Sequence, residues 1–316
     1  MTRIAHPGTA FARAGLRVLE RGWLSSNNIV LVGSDECVVV DTGYASHAEQ
    51  TLALVQAALP AGRRLDRIVN THLHSDHCGG NAMLQRVHGC AIDVPAAAAG
   101  HVDRWDEEVL TYHATGQHCE RFQRTGVLVP GSTVRLGRLP WDVHAAPGHD
   151  PESVVLYQPD VGVLISADAL WEDGFGVVFP ELVGEPGFDD VRATLDRIAS
   201  LDVQWVIPGH GAPFSDFRAA LERAYRRLDR LAAAPLRHVR HAAKVLIKFH
   251  LLEVRATSHD ALADWAAAAP YFVTMHGRCF ADLGLRAWLA ELIAELVASG
   301  ALSQDSEFVR EPDPAQ

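Results

Sequence analysis

The sequence predicts an α/β chain that closes with an all-helical unit, and three observations carry that expectation. Short apolar runs rich in valine and isoleucine alternate with amphipathic stretches through the first two hundred residues, the pattern of strands and helices packed in layers. From Ser215 onward the strand signals stop and helical periodicity takes over. Strands also run directly into histidines and aspartates, above all in Thr71-His72-Leu73-His74-Ser75-Asp76-His77-Cys78-Gly79-Gly80.

Taken from the N-terminus, residues 17–22, 28–32 and 37–41 read as short strands, separated by Ser25-Ser26-Asn27-Asn28 and by Gly33-Ser34-Asp35. Asp41-Thr42-Gly43 is a turn signal that closes the third. Ser46 to Leu59 is helical, with Leu52, Val55 and Leu59 on one stripe, and Pro60-Ala61-Gly62 stops it. Leu65 to Asn70 is the strand that feeds the histidines.

Residues 95–126 break the alternation. This polar stretch, with His101, Trp105, Tyr112, His113 and His118, reads as an inserted helical segment, either a lid over the site or a surface helix pair. Strands resume at 133–136, 141–145, 153–157 and 163–166. A helix over 188–201 turns Val191, Leu195 and Ile198 inward, and a strand follows at 203–207.

Phe217, Leu221, Tyr225 and Leu228 then trace a long amphipathic helix. Helices at 236–254 and 260–269 follow, and Leu285, Trp288, Leu289, Leu292 and Leu296 mark another that Gly300 ends. At 316 residues the chain exceeds a typical single domain. The break at 230–236 divides it into an expected catalytic domain, residues 1–235, and a C-terminal helical domain, residues 236–316. The final EPDPAQ reads as a frayed tail.

A 48% hydrophobic fraction is ample for a packed core, and the net charge of −11 gives no general attraction to nucleic acid or anionic membranes. Five cysteines (Cys37, Cys78, Cys90, Cys119 and Cys279), odd in number and without a C-x-x-C pair, fit reduced thiols. The N-terminal MTRIAHPGTAFARAG lacks the apolar region of a secretory signal, and no apolar run approaches the roughly 20 residues that span a bilayer. A soluble, cytoplasmic protein is the expectation.

The histidine loop concentrates metal-ligand chemistry. His72 and His74, two apart, can point to one side of an extended segment, while Asp76 and His77 lie where the chain turns and can face a second ion. Ala146-Pro147-Gly148-His149 and Ile207-Pro208-Gly209-His210 repeat one device: proline stops a strand, glycine permits a bend, and histidine leaves the strand end. Between them, Asp168 ends the apolar strand Leu164-Ile165-Ser166-Ala167, where an unpartnered carboxylate would be costly.

In this order DTG, THLHSDHCGG, PGHD, SAD and PGHG resemble the metallo-β-lactamase-fold hydrolase superfamily, over about Val18 to Pro213. The resemblance implies an αββα sandwich of two mixed β-sheets flanked by helices, with two divalent metals at one edge, zinc first and iron or manganese as alternatives. It implies that His72, His74 and His149 hold one ion, that Asp76, His77 and His210 hold the other, and that Asp168 bridges them. Asp41 would orient the histidine loop. The implied chemistry is hydrolysis by a metal-bridging hydroxide, with Asp76 as proton carrier.

Asp168 stands where true β-lactamases carry Ser or Cys, and His74 stands where flavodiiron reductases carry Glu, so both activities are disfavoured. The histidine loop is similar to that of glyoxalase II and related thioesterases, and also to lactonases and the RNase Z branch. A thioester or related ester is therefore the first expected substrate, ahead of a phosphodiester. A mononuclear iron persulfide dioxygenase would use the same ligands, and a metal-loaded regulatory or nucleic-acid-binding protein is the alternative from another class.

The C-terminal helices resemble the winged-helix-like tail of some superfamily members. Residues 218–255 hold ten Lys/Arg against three Asp/Glu, a net +7, which suits a phosphate-reading face, an anionic small molecule or simply a solvated helix face. A small-molecule substrate is the expected partner; nucleic acid is possible but not favoured, and a dimer is one open oligomeric outcome. Trp171, Phe175 and Phe179 would line an apolar groove.

Overall fold

The computed structural model describes residues 7–312. The first six residues and the last four, which include most of the stretch expected to fray, lie outside the described residues. Two mixed sheets dominate the first two thirds of the chain. The first has the order β1 (Leu16–Leu19), β2 (Asn28–Val32), β3 (Cys37–Val40), β4 (Arg67–Val69), β5 (Ala91–Pro95) and β6 (Gly126–Leu128). Its first two pairings are antiparallel and the other three parallel.

The second sheet runs β7 (Thr133–Leu136), β8 (Leu139–Ala145), β9 (Val154–Gln158), β10 (Val163–Ala167) and β11 (Trp205–Pro208). It is antiparallel except where β10 lies parallel to β11.

The helices of this part are α1 (Pro7–Ala14), α2 (Ala48–Ala58), α3 (Ser75–Cys78), α4 (Asn81–His88), α5 (Ala99–Arg104), α6 (Tyr112–Thr115), α7 (Phe179–Val183), α8 (Phe188–Ala199) and α9 (Phe217–Ala232). Strand periodicity explains their layering. On β2, Ile29 and Leu31 face the space between the sheets, whereas Val30 faces the outer helices. Leu31, Val38, Val40 and Val69 meet Trp141, Val143, Leu156 and Ile165 in the inter-sheet core. Val55 and Leu84 cover the outside of the first sheet, and Val191, Leu195, Leu221 and Leu228 cover the outside of the second. The result is the expected αββα sandwich.

The segment 95–126 is less uniformly helical than its composition suggests. β5 and β6 bracket it and extend the first sheet, and between them only α5 and α6 are helical. Tyr112 and Phe122 are buried in the core beside α2 and α4, with Trp105 packed against them, so the insertion is anchored from below.

The C-terminal region is helical, through α10 (Pro235–Val254), α11 (His259–Ala268), α12 (Pro270–Cys279) and α13 (Leu285–Ala298). It also holds a small sheet of order β12 (Ala256–Ser258), β14 (Phe308–Arg310) and β13 (Ser303–Gln304), which corrects the expectation of an all-helical unit. Strands of two or three residues, polar in Thr257, Ser258 and Ser303, carry no periodic apolar signal. Helix α12 was hidden as well, because it opens on Pro270 and contains Gly277. Leu246, Ile247, Leu262, Phe272, Trp288 and Leu292 form this region's core, which reaches Val177 and Leu182 near α7. The final residues described are tied down: Glu311 pairs with Lys248, and its N–H donates to Arg255 O at 2.9 Å.

Candidate metal centre

Strand ends deliver the polar residues to one edge of the sandwich. After β4, residues 70–74 stay outside regular structure and α3 makes a single turn, so His72 and His74 precede the bend while Asp76 and His77 lie on it. On β10 the register with β11 shifts between Ile165 and Ala167, and Ala167 has φ 45. This irregularity turns the chain so that Asp168 leaves the strand toward the histidines. Gly209 must be a glycine: a Cβ there would lie 2.1 Å from Asp168 Oδ1.

All seven sequence-derived candidates come together. Nitrogens of His72, His74 and His149 form one group of ligand atoms lying within 4.8 Å of one another, and Asp76, His77 and His210 form a second. Asp168 groups with His72 and His77, between the two sets. Its Oδ1 lies 3.5 Å from His77 Nε2, and its Oδ2 lies 3.4 Å from His149 Nε2 and 3.9 Å from His210 Nε2. His74 Nδ1 faces His149 Nε2 at 2.8 Å, and His210 Nε2 is 3.1 Å from Asp76 Oδ2.

The residues fit a divalent transition metal. His72 Nε2 and His77 Nε2 are buried with no hydrogen-bond partner, an arrangement that is costly unless something accepts their lone pairs. Imidazoles and carboxylates are also the donor set such ions prefer. Burial lowers the pKa of His74 and of His149 to about 4, and burial with neighbouring imidazoles holds His72 well below its usual value. These three rings are therefore neutral at neutral pH, as metal ligation requires. Burial would raise Asp168, yet His77, His210 and His149 hold it well below the ordinary carboxylate range.

Asp41, the carboxylate of the DTG turn, is buried behind the loop. It contacts His77 Nδ1 through Oδ2 and accepts the Thr71 N–H through Oδ1 at 2.9 Å. Burial works to lower the pKa of His77, but Asp168, Asp76 and Asp41 around the ring raise it well above its ordinary value.

A cavity of about 490 Å³ opens onto the cluster, and His74, Asp76, His149, Asp168 and His210 line it. Trp171 and Phe179 line it as expected, and the Trp171 indole N–H donates to Asp168 Oδ1 at 3.2 Å. Phe175 does not; it is buried in the core under α9. From the inserted segment Gln117 reaches the cavity, while His101 turns to Glu152 and His113 to Glu108. Cys78 is buried beside Cys119 and Tyr112 and does not line the cavity.

Sequence reasoning missed two contributors. Trp23, 58% exposed, stacks on the His210 ring at 5.3 Å; an isolated tryptophan between strands gave no signal. Helix α10 supplies much of the remaining wall, including Val245, Phe249 and Leu252. Its amphipathic pattern was visible, but not what its second face would meet.

A family model described as the metallo-beta-lactamase superfamily matches residues 21–210. The chain is 30% identical to the acyl-coenzyme A thioesterase MBLAC2 of Homo sapiens, over 66% of this chain and 80% of that protein. It is also 30% identical to a hydroxyacylglutathione hydrolase of Rhodobacter capsulatus, over 74% of this chain and 80% of that protein. Among solved structures, TTHA1623 in a di-iron-bound form aligns at a TM-score of 0.51 and 25% identity, covering 66% of this chain and 98% of that one.

Proposed function

The chain belongs to the metallo-β-lactamase superfamily, and from that premise we propose that it is a dinuclear metal-dependent thioesterase. The observation that carries the reading is the pair of three-residue ligand groups with Asp168 between them. We assign His72, His74 and His149 to one ion, Asp76, His77 and His210 to the other, and Asp168 to both. Zinc is our first assignment, because all seven of these groups are imidazole or carboxylate donors on a rigid loop or strand end; iron is the alternative that the di-iron relative supports. When bound, such a metal pair supplies a water acidified toward neutral pH and a positive field for the oxyanion that develops on the attacked carbonyl.

The chain's own residues do the rest. Asp76, on the cavity wall, is the group we assign to carry the proton, ending on the departing thiolate as the C–S bond breaks and the C–O bond forms. Trp171, Phe179, Val245, Phe249 and Leu252 give an apolar lining that excludes water and suits an acyl chain. The names of the two curated relatives support a thioester.

A phosphodiester is less well supported. Of the ten basic residues in 218–255, Arg223, Arg226, Arg240, Lys244 and Lys248 already have carboxylate partners, which halves the positive charge free to read a phosphate backbone. We assign residues 236–316 as a separate C-terminal domain, winged-helix-like in its order of helix, strand, three helices and two strands. We assign it to substrate recognition, and the protein to the cytoplasm. Elemental analysis with a panel of thioesters, lactones and phosphodiesters tests the proposal. Two metal equivalents and turnover of thioesters are expected; turnover of phosphodiesters alone would overturn it.

A further inference from the structure

Three cationic side chains line the cavity: Arg227 from α9, and Lys244 and Lys248 from α10. Two of them are committed. Lys244 Nζ lies 2.9 Å from Glu295 Oε2, and Lys248 pairs with Glu311 and donates to Ala301 O at 2.8 Å. Arg227 pairs with no carboxylate among the described residues. Its Nη2 donates to His241 Nε2 at 3.1 Å, its Nε is buried without a hydrogen-bond partner, and its guanidinium sits 5.5 Å from the Phe175 ring centroid.

The stem of Arg227 is held closely. A Cβ on Gly174 would lie 2.6 Å from its Cδ, so that turn leaves room for this side chain and nothing more. Burial, then Arg227 and Lys244, lower the His241 pKa to about 4, so at neutral pH this ring accepts from Arg227 and offers it no counter-charge. A guanidinium has five N–H donors, and the His241 contact uses one. A cation desolvated without a partner is costly, and a fork fixed by packing at a cavity wall matches carboxylate and phosphate geometry.

We infer that Arg227 is the receptor for an anionic group of the substrate, a carboxylate or a phosphate, so that the thioesters this protein prefers carry that charge. The inference rests on the thioesterase reading above and specifies its substrate class. It assigns Arg227 to binding and gives it no part in bond cleavage.

The test compares wild type, R227K and R227M, each metal-loaded and checked for metal content and circular dichroism. Three thioesters share one acyl group: one on coenzyme A (phosphates), one on glutathione (carboxylates) and one on neutral N-acetylcysteamine. For R227M, kcat/KM on at least one charged thioester should fall on the order of 10- to 100-fold, chiefly through KM, with the neutral thioester unchanged. R227K should recover part of the loss, and the more affected charged substrate identifies the anion. An equal loss on all three thioesters, or no loss on any, would overturn the inference.

Failure of the thioesterase reading is separable, because the wild type would then hydrolyse none of the three. In that case calorimetric titration of wild type and R227K with inorganic phosphate and with succinate decides. Binding weakened by the substitution upholds the receptor; absence of binding, or binding indifferent to it, refutes it.

Discussion

Asp41 holds His77 by its far nitrogen: the carboxylate Oδ2 lies 2.8 Å from Nδ1, which turns Nε2 toward Asp168 and Asp76. The same oxygen accepts from the Thr71 hydroxyl at 2.7 Å, so one buried side chain fixes both ends of the histidine loop. With a metal in place of the Nε2 proton, the contact keeps the remaining proton on Nδ1. In Asp41→Asn an amide N–H₂ facing the ring would favour the opposite tautomer. We expect metal affinity at the His77 position to fall about 10- to 100-fold, the range for removing such a partner. Competition with a chromophoric chelator measures it, and wild-type affinity in the variant would show that the carboxylate does not orient the ring.

Asp168 lies between the two ligand groups, so its removal should affect the metals more than the fold. Freshly purified, unchelated wild type should carry about two transition-metal ions, since seven ligands are too many for one tetrahedral centre. Asp168→Ala should lose one of them and lower activity by at least about 100-fold. The sandwich core is apolar and the cluster sits at its rim, so the far-ultraviolet circular dichroism should stay that of wild type. One ion at most in the wild type would favour the mononuclear dioxygenase chemistry, and an unfolded variant would mean that Asp168 supports the core.

The residues that were legible in the sequence share a physical property. His72, His74, Asp76, His77, His149, Asp168 and His210 follow strand-like apolar runs closely, so local pattern put them at strand ends, and the family resemblance implied that those ends share one edge. The layers were legible because continuous apolar runs such as Ile29, Val30 and Leu31, buried on both faces of the strand, alternate with amphipathic stretches. Arg227, Trp23 and Phe249 were not. Each lies on a helix or loop whose partner is far away in sequence, and only tertiary packing decides which face meets the cavity. The short strands Ala256–Ser258 and Ser303–Gln304 failed differently: pairing with Phe308–Arg310 stabilises them, with little help from their own side chains.

His238 gives the C-terminal region a pH dependence whose sign follows from its burial. It is 1% exposed, its Nε2 accepts the Val178 N–H at 3.0 Å, and burial, then His241 and Arg227, lower its pKa to about 3. Above the unfolded value of about 6.5 the ring is neutral in both states and contributes no slope. Below it the unfolded chain takes up a proton that the native ring refuses, so stability falls until the pH nears the native value. At about pH 5 the loss is about 2 kcal/mol. His238→Gln should be less stable at neutral pH, because Val178 N–H loses its acceptor, yet its urea midpoint should fall less between about pH 7 and pH 5. An equal fall in both proteins would assign the slope to other histidines.

Tyr44 joins the two halves of the chain beside the candidate site. It is fully buried next to Gly43 of the turn that bears Asp41, its hydroxyl donates to Glu253 Oε2 at 3.0 Å, and its ring meets Phe249 edge-on at 5.2 Å. Burial, then Glu253, raise its pKa well above the ordinary value, so the hydroxyl keeps its proton and remains the donor. Phe249 lines the cavity and Glu253 lies one turn further along α10, so this hydrogen bond fixes the end of the helix that walls the cavity. Tyr44→Phe keeps the ring contact and removes the hydroxyl, which also faces His118 Nδ1 at 3.3 Å, at a cost of about 1–3 kcal/mol for a part-buried bond to a carboxylate. We expect unchanged metal content, a several-fold higher KM and a smaller change in kcat. Amide exchange should quicken in the last turns of α10. Kinetics and exchange both matching wild type would show that packing against Phe249 alone holds the helix over the cavity.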